Sequence, residues 1–70
     1  MKTGTRVTFQ DSDYAAEVYG SEYSVAILEV VDLSLYSLTI APVVSDGQSV
    51  FPNLAEAITV TKYEVREIAK

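Results

Sequence analysis

A run of β-branched and aliphatic residues between Tyr23 and Val44 restricts the fold of this chain more than any other sequence feature. Branched side chains lose rotamer freedom in a helix and fit the pleated surface of a sheet. The run therefore predicts two strands, over residues 23–31 and 36–44. The break is placed at 32–35 because the alternation of apolar positions changes phase there, and a β-bulge would explain the same change.

The N-terminal third predicts one strand and one short helix. Residues 5–10 alternate between polar and apolar side chains, which is typical of a half-buried strand. Asp13 is the expected cap of a helix over residues 14–19, and Gly20 is its expected left-handed terminator. A helix this short depends on packing against the rest of the chain.

The dipeptide Asp46-Gly47 is the clearest local signal in the sequence. Glycine adopts a positive φ freely and aspartate tolerates it, so this pair predicts a tight hairpin turn. The return strand, residues 48–51, ends at Pro52. Proline has no amide hydrogen for a central ladder, and this strand is therefore expected at an edge of the sheet.

Residues 53–68 fit two interpretations. A capping box over residues 53–56 and a stripe of apolar residues favour a helix. Residues 58–61, Ile-Thr-Val-Thr, are poor helix formers and good strand formers. We expect a strand that ends at Lys62, one turn, and a short final strand.

Neither a disulfide nor a metal bound by Cys or His can stabilise this short chain, because its 70 residues include no Cys and no His. Such a domain depends on close packing or on a second subunit. With 49% hydrophobic residues, the chain has the material for a globular core. The predicted fold class is mainly β: one domain over residues 1–70, a small barrel of about five strands with one short helix as an option.

The order of these features resembles SH3-like and KOW-like small β-barrels. Such barrels open with a glycine before an alternating strand, as Gly4-Thr5-Arg6-Val7 does, and carry an Asp-Gly hairpin after a long strand. They finish with a strand, a single turn and a short strand, as residues 60–68 would. The resemblance concerns fold and not function, and the link from Asp46-Gly47 to Ile58 is longer than usual. Barrel closure would set the two terminal strands side by side.

The charges are unevenly distributed along a chain whose net charge is −5. No basic residue occurs from Val7 to Thr61, and all five lie near the ends. Those five are Lys2, Arg6, Lys62, Arg66 and Lys70. The acidic residues between them are Asp11, Asp13, Glu17, Glu22, Glu29, Asp32, Asp46 and Glu56. Direct nucleic-acid binding is disfavoured because it needs Lys and Arg at the phosphates, and a basic protein surface is the expected partner.

Catalysis and metal binding are not expected. Without His or Cys, the usual dyads and triads cannot be assembled, so we predict a protein that is not an enzyme. The calcium-loop-like segment Asp11-Ser12-Asp13 continues with Ala15 and Ala16 where a ligand and a glycine are needed. No glycine-rich phosphate loop is present. We therefore expect no catalytic residue, no metal and no cofactor.

The segment from Asp11 to Tyr23 is the predicted partner-binding region. It interleaves carboxylates, which steer a basic partner, with tyrosines, which are enriched at interfaces. The candidate residues are Asp11, Asp13, Tyr14, Glu17, Tyr19, Glu22 and Tyr23. The alternative interpretation is that the tyrosines are half-buried and the acids only solvate a loop.

Three functions remain open at this point. The first is a non-catalytic interaction module that binds a basic protein surface, with a homodimer as one possible form. The second is an acidic inhibitor that mimics nucleic-acid phosphates and occupies a DNA- or RNA-binding protein. The third is a structural subunit that assembles through an open strand edge near residues 48–51. No apolar run is long enough to span a membrane, no secretory signal is recognisable, and a cytoplasmic location is expected.

Overall fold

The computed structural model describes residues 1–68, and strands dominate it. The six strands are β1 (Arg6–Phe9), β2 (Leu28–Leu33), β3 (Ser37–Ser45), β4 (Val50–Pro52), β5 (Ile58–Thr61) and β6 (Val65–Glu67). The helical elements are α1 (Ser12–Val18), α2 (Ser21–Ser24) and a 3-10 turn (Leu54–Glu56). The mainly-β prediction is confirmed, with six strands where about five were expected and two short helices where one was allowed.

The strands form one antiparallel sheet in the order β4-β3-β2-β1-β6, and β5 also pairs with β3. The two terminal strands, β1 and β6, lie side by side, as expected. Within residues 1–68, β6 pairs only with β1 and β5 only with β3. The sheet is therefore open, and the expected closure into a barrel is not seen in the strand pairing.

The core lies against one face of this sheet and is covered in part by the two helices. Its buried residues are Val7, Phe9, Ala15, Tyr23, Leu28, Val30, Leu38, Ile40, Val60 and Val65. Most of them alternate along their strands, which places them on one face. Each fully buried aliphatic side chain contributes about 1.5–3 kcal/mol, so packing alone can stabilise a chain that has no cysteine.

The strand predicted over residues 23–31 begins later than expected, at Leu28. Residues 21–24 form α2 instead, after a turn at Gly20, whose φ is +116°. The physical reason is burial: the helical turn directs the Tyr23 ring into the core, and this packing outweighs the strand propensity of its neighbours. The break predicted at 32–35 is confirmed, because β2 ends at Leu33 and β3 begins at Ser37. A β-bulge is present as well, just before that range, since the β2–β3 register shifts between Val30 and Asp32.

Helix α1 is capped by Asp11, and the prediction that Asp13 is the cap is wrong. Asp11 Oδ1 accepts hydrogen bonds from the amides of Asp13 and Tyr14, both at 3.1 Å. The helix begins at Ser12, so these are the free amides of its first turn, and only the side chain of the preceding residue reaches them. Asp13 lies inside the first turn, where its negative charge interacts favourably with the positive end of the helix dipole.

The Asp46-Gly47 turn joins β3 to β4, as predicted. Asp46 Oδ1 accepts from the amides of Gln48 and Ser49, both at 2.9 Å, and Gly47 has a φ of +91°. These two amides hold the pKa of Asp46 below its ordinary value. Strand β4 ends at Pro52 and stands at one end of the sheet order, which confirms the edge prediction.

The C-terminal region follows the strand interpretation. Asn53 Oδ1 caps the amide of Ala55 at 3.3 Å, but the 3-10 turn that it starts ends at Glu56. The β-branched residues that follow form β5, and a single turn leads into β6. None of the helices between residues 1 and 68 has the length and apolar content needed to cross a bilayer.

Candidate functional site

Helices α1 and α2 and their links form a helical lobe, residues 11–24, which contains every predicted contact residue. The four carboxylates of the lobe are all exposed: Asp11, Asp13, Glu17 and Glu22. The one ion pair found within residues 1–68 joins Arg6 Nε to Glu29 Oε1 at 3.1 Å, outside the lobe. The lobe therefore presents its negative charge to solvent, although one Asp11 oxygen is committed to the helix cap.

Two tyrosines of the lobe share one acceptor in the C-terminal half of the chain. The hydroxyls of Tyr14 and Tyr19 each donate to Glu64 Oε1 at 2.8 Å. The other oxygen of that carboxylate, Oε2, accepts from the amide of Thr61 at 2.7 Å. Glu64 thereby fastens the helical lobe to the turn between β5 and β6.

Ring packing supports this connection. The Tyr19 ring stacks on Phe9 of the core, with centroids 5.4 Å apart and planes inclined by 23°. Tyr14 meets Tyr19 edge-on, at 6.4 Å and 81°. Both arrangements are favourable geometries for aromatic pairs. Tyr19 is therefore half-buried between the core and Tyr14, whereas Tyr14 keeps 44% of its surface exposed.

The pKa values of this network follow from its hydrogen bonds. The hydrogen bond to Glu64 raises the pKa of Tyr14, while burial, followed by the same carboxylate, raises the pKa of Tyr19. Partial burial acts to raise the pKa of Glu64, but the Thr61 amide and the two tyrosine hydroxyls together hold that pKa below its ordinary value. The stable form near neutral pH is therefore a carboxylate that accepts from two neutral phenols.

Tyr23 is placed differently from the other candidate residues. Its side chain is 6% exposed, and its ring belongs to the core. Its hydroxyl donates to the Glu56 carbonyl at 2.9 Å and lies 3.3 Å from Glu56 Oε2. Burial, with these contacts, raises the pKa of Tyr23. The surface of the lobe is thus formed by its carboxylates with Tyr14 and part of Tyr19, and not by Tyr23.

Two exposed turns were predicted from the sequence as links between strands, but not as candidate contact sites. Ser34–Ser37 is closed by an amide-to-carbonyl bond of 3.0 Å and has Leu35 and Tyr36 at its centre. Thr61–Glu64 is closed at 3.2 Å and has Lys62 and Tyr63 at its centre. The turns are neighbours because Ser37 pairs with Thr61. The signal available in the sequence was the presence of large apolar residues in the links between strands, in place of the usual turn residues.

Lys2, Arg6 and Arg66 lie near the paired termini, but they are not separated from acidic residues, and Lys62 lies on the Thr61–Glu64 turn at the other end of the β1–β6 pair. Arg66 on β6 is opposite Thr8 on β1, two residues from Arg6. Arg6 is bonded to Glu29, and Glu67 follows Arg66 directly. Lys70 lies outside the described residues. The cationic end is therefore mixed in sign, while the helical lobe is uniformly acidic.

One cleft of about 400 Å³ lies at this cationic end. It is lined by Lys2, Thr3, Gly4, Thr5, Arg6, Ile27 and Ile68. In the part of the chain that the structure describes, no three acidic side chains are grouped in a way that could hold a metal ion. Comparison with known proteins gave no matching family model, no matching curated protein and no matching solved structure.

Proposed function

We propose that this protein is a non-catalytic interaction module whose helical lobe binds a basic surface of a partner protein. The observation that carries the proposal is the exposure of Asp13, Glu17 and Glu22 on one small lobe, with no ion-pair partner among residues 1–68. Tyr14, partly exposed between them and the sheet, adds an aromatic contact area.

Electrostatics explains why a basic partner fits. Clustered charges of one sign raise the rate of encounter with the opposite sign and suppress wrong partners. Exposed charges are screened beyond about 8 Å at physiological ionic strength, so this attraction weakens with added salt. The tyrosine supplies a rigid, amphipathic surface whose contribution does not depend on salt.

The hydrogen bonds of the lobe favour binding in a second way. Glu64 holds Tyr14 and Tyr19, and Glu56 holds Tyr23, so the short helices are attached to the sheet at three hydroxyls. A surface that is already ordered loses little conformational entropy when a partner arrives. The lobe is therefore a preformed site and not a segment that must fold on binding.

A charge-reversal pair tests the proposal. Glu17→Lys and Glu67→Lys change the net charge equally, and both positions are exposed, but only Glu17 lies on the lobe. We expect Glu17→Lys to weaken binding of an octalysine peptide by about fivefold at low salt, as measured by NMR titration. Glu67→Lys should leave the affinity close to that of the wild type. Equal losses in both variants would mean that only the net charge matters.

Nucleic-acid mimicry is an alternative use of the same acidic surface. It would apply if the partner's basic surface is itself a DNA- or RNA-binding site, which carboxylates can occupy in place of phosphates. The absence of basic residues from Val7 to Thr61 supports this possibility. Once a partner is known, duplex DNA should displace the protein from it at low salt. Failure to displace would remove the support for mimicry.

Assembly through a strand edge is the other alternative, favoured by β4. This strand pairs only with β3 within the described range, and both Val50 and Phe51 are exposed. At the two ends of the β3–β4 ladder, the Asp46 amide donates to the Ser49 carbonyl and the Asn53 amide donates to the Pro42 carbonyl. Because hydrogen-bonded and non-hydrogen-bonded pairs alternate along an antiparallel ladder, the Val50 amide and carbonyl face the free edge. A homodimer through β4 should dissociate when Val50→Lys places a charge there. A strictly monomeric protein at high concentration would exclude this route.

We propose a relationship to SH3-like barrels at the level of architecture. It is supported by Gly4 before β1, by the Asp46-Gly47 turn after the nine-residue β3, and by the single turn between β5 and β6. Hydrogen-bonded and non-hydrogen-bonded pairs alternate along the β1–β6 ladder, and this alternation makes the Glu67 amide point away from β1. Slow hydrogen exchange at this amide would indicate a barrel that closes in solution, and fast exchange an open sheet.

We also place the interaction in the cytoplasm. The absence of cysteine suits a reducing compartment and supports this location. Fractionation of cells that express the chain, followed by detection with an antibody, tests it.

A further inference from the structure

The two exposed turns and the end of β2 carry an apolar surface, the turn patch, made of Leu33, Leu35, Tyr36 and Tyr63. Leu35, Tyr36 and Tyr63 are 75%, 80% and 85% exposed, and Leu33 is exposed as well. The Ser37–Thr61 pair brings the two turns together. Three large apolar side chains on adjacent turns, with Leu33 at the end of β2 next to one of them, are a concentrated exposure for so small a domain.

The position of these residues within their turns makes the exposure unusual. The centre of a tight turn favours Gly, Pro, Asn, Asp or Ser, whose backbones or short polar side chains suit it. Here the central pairs are Leu35-Tyr36 and Lys62-Tyr63. Leu35, Tyr36 and Tyr63 lie mostly in solvent, so burial in the core of the domain does not explain their apolar character.

The turn patch is continuous with the helical lobe. Tyr63 is followed by Glu64, whose carboxylate accepts the hydroxyls of Tyr14 and Tyr19. The surface therefore runs from the acidic residues of α1, across Tyr14 and Glu64, to Tyr63 and the Leu35-Tyr36 turn. One end of this surface is anionic, and the other is apolar with one basic residue, Lys62.

We infer that the turn patch is the apolar half of the partner site, and that its occupant is a basic amphipathic segment of another protein. This inference rests on the proposed function of the lobe and specifies its partner. Lysine or arginine side chains of the segment would meet the carboxylates of the lobe. Its apolar side chains would cover Leu35, Tyr36 and Tyr63, residue types that supply large contact areas.

Charge argues for this occupant over two others. An anionic membrane surface would be repelled by the four carboxylates of the lobe, and the turns offer it only one basic residue, Lys62. A second copy of the chain would bring a second acidic lobe to the same place, and like charges at an interface cost several kcal/mol. A basic protein segment satisfies both halves of the surface at once.

Two peptides of equal length and charge test the inference. One alternates Lys with Leu in an amphipathic pattern, and the other replaces each Leu by Ser. The variant Tyr36→Ser/Tyr63→Ser alters both turns, and Val25→Ser/Leu54→Ser is the control, because Val25 and Leu54 are exposed apolar residues outside the patch. Affinity is measured by calorimetry, and amide shifts of the wild type are mapped in parallel.

We expect the turn variant to bind the Lys-Leu peptide about tenfold more weakly and the Lys-Ser peptide unchanged. The control variant should match the wild type with both peptides. The Lys-Leu peptide should also shift amides of residues 34–37 and 61–64 in the wild type, a readout that does not depend on any variant folding.

Unchanged affinity of the turn variant, with Glu17→Lys still weakened, would overturn the inference and leave the proposed function standing. Unchanged affinity of Glu17→Lys would contradict both. Binding of the wild type to phosphatidylserine vesicles, lost in the turn variant, would assign the patch to lipid. A wild-type dimer that the turn variant abolishes would assign it to a second copy. Either of these results also overturns the inference.

Discussion

The tyrosines of this protein fall into two groups with different surroundings. Tyr14, Tyr19 and Tyr23, in the helical lobe, each donate a hydroxyl hydrogen to a glutamate from the C-terminal half of the chain. Tyr36 and Tyr63, on the two turns, make no such bond within residues 1–68, and both are largely exposed. The same residue type is bonded to the rest of the fold in one region and exposed to solvent in the other.

In this contrast, a tyrosine is held in place where its hydroxyl finds a hydrogen-bond acceptor that is distant in sequence. Glu64 is 50 residues from Tyr14, and Glu56 is 33 residues from Tyr23. The position of β5 brings each pair together, because Glu56 lies just before this strand and Glu64 just after it. The tyrosines of the lobe are therefore held by contacts of the fold, whereas those of the turns are free for the binding proposed above.

The largest expected difference between the groups is in stability. Tyr23→Ala removes a buried ring and should lower the free energy of unfolding by about 3–5 kcal/mol. Tyr36→Ala removes a ring that is 80% exposed and should leave the free energy of unfolding almost unchanged. Urea denaturation measures both. Similar losses of unfolding free energy in the two variants would contradict the distinction between the tyrosines of the lobe and those of the turns.

A smaller effect is expected at the shared acceptor of the lobe. Glu64→Gln keeps the shape of the side chain but removes the charge that strengthens the bonds from Tyr14 and Tyr19. Because the site is partly open to solvent, we expect a loss of about 1 kcal/mol in unfolding free energy. Glu67→Gln, on the same part of the chain, is the matched control and should show no loss. Tyrosine fluorescence follows both unfolding transitions.

The smallest expected effect is the pH dependence of that same contact. The folded-state pKa of Glu64 is lowered, so folding favours the ionised carboxylate. Its contribution to stability is complete above the unfolded pKa of about 4.3 and is lost as the pH falls through the folded-state value. The difference between wild type and Glu64→Gln should therefore shrink as the pH falls from about 7 to 3. A difference that stays constant with pH would assign the effect of Glu64→Gln to geometry and not to charge.

Local signals predicted most of the strands and turns. Alternation located β1, Asp46-Gly47 located the β3–β4 turn, and the Ile-Thr-Val-Thr run located β5. Each of these depends on residues next to one another, so a single sequence contains the information. Residues 21–24 were predicted as part of a strand because their helical conformation depends on the burial of Tyr23, a contact with distant parts of the chain.

The candidate site was predictable only in part for the same reason. The acidic residues of the lobe were recognisable from their spacing, and they are exposed. The burial of Tyr23 and the role of Glu64 depend on contacts across 33 to 50 residues. The turn patch exists because Ser37 pairs with Thr61, a register that no local pattern specifies. Its binding role stays a prediction, as does that of the lobe.

The β-bulge in β2 gives the sheet a place where the length of the chain can vary. Val31 is the extra residue there, because Val30 pairs with Ile40 and Asp32 with Thr39. A regular ladder through Val31 would turn Asp32 toward the core, whereas the bulge keeps it in solvent. Deletion of Val31 would restore a regular ladder with every remaining side chain on its present side. A variant of this chain that lacks Val31 should therefore keep the same hairpin.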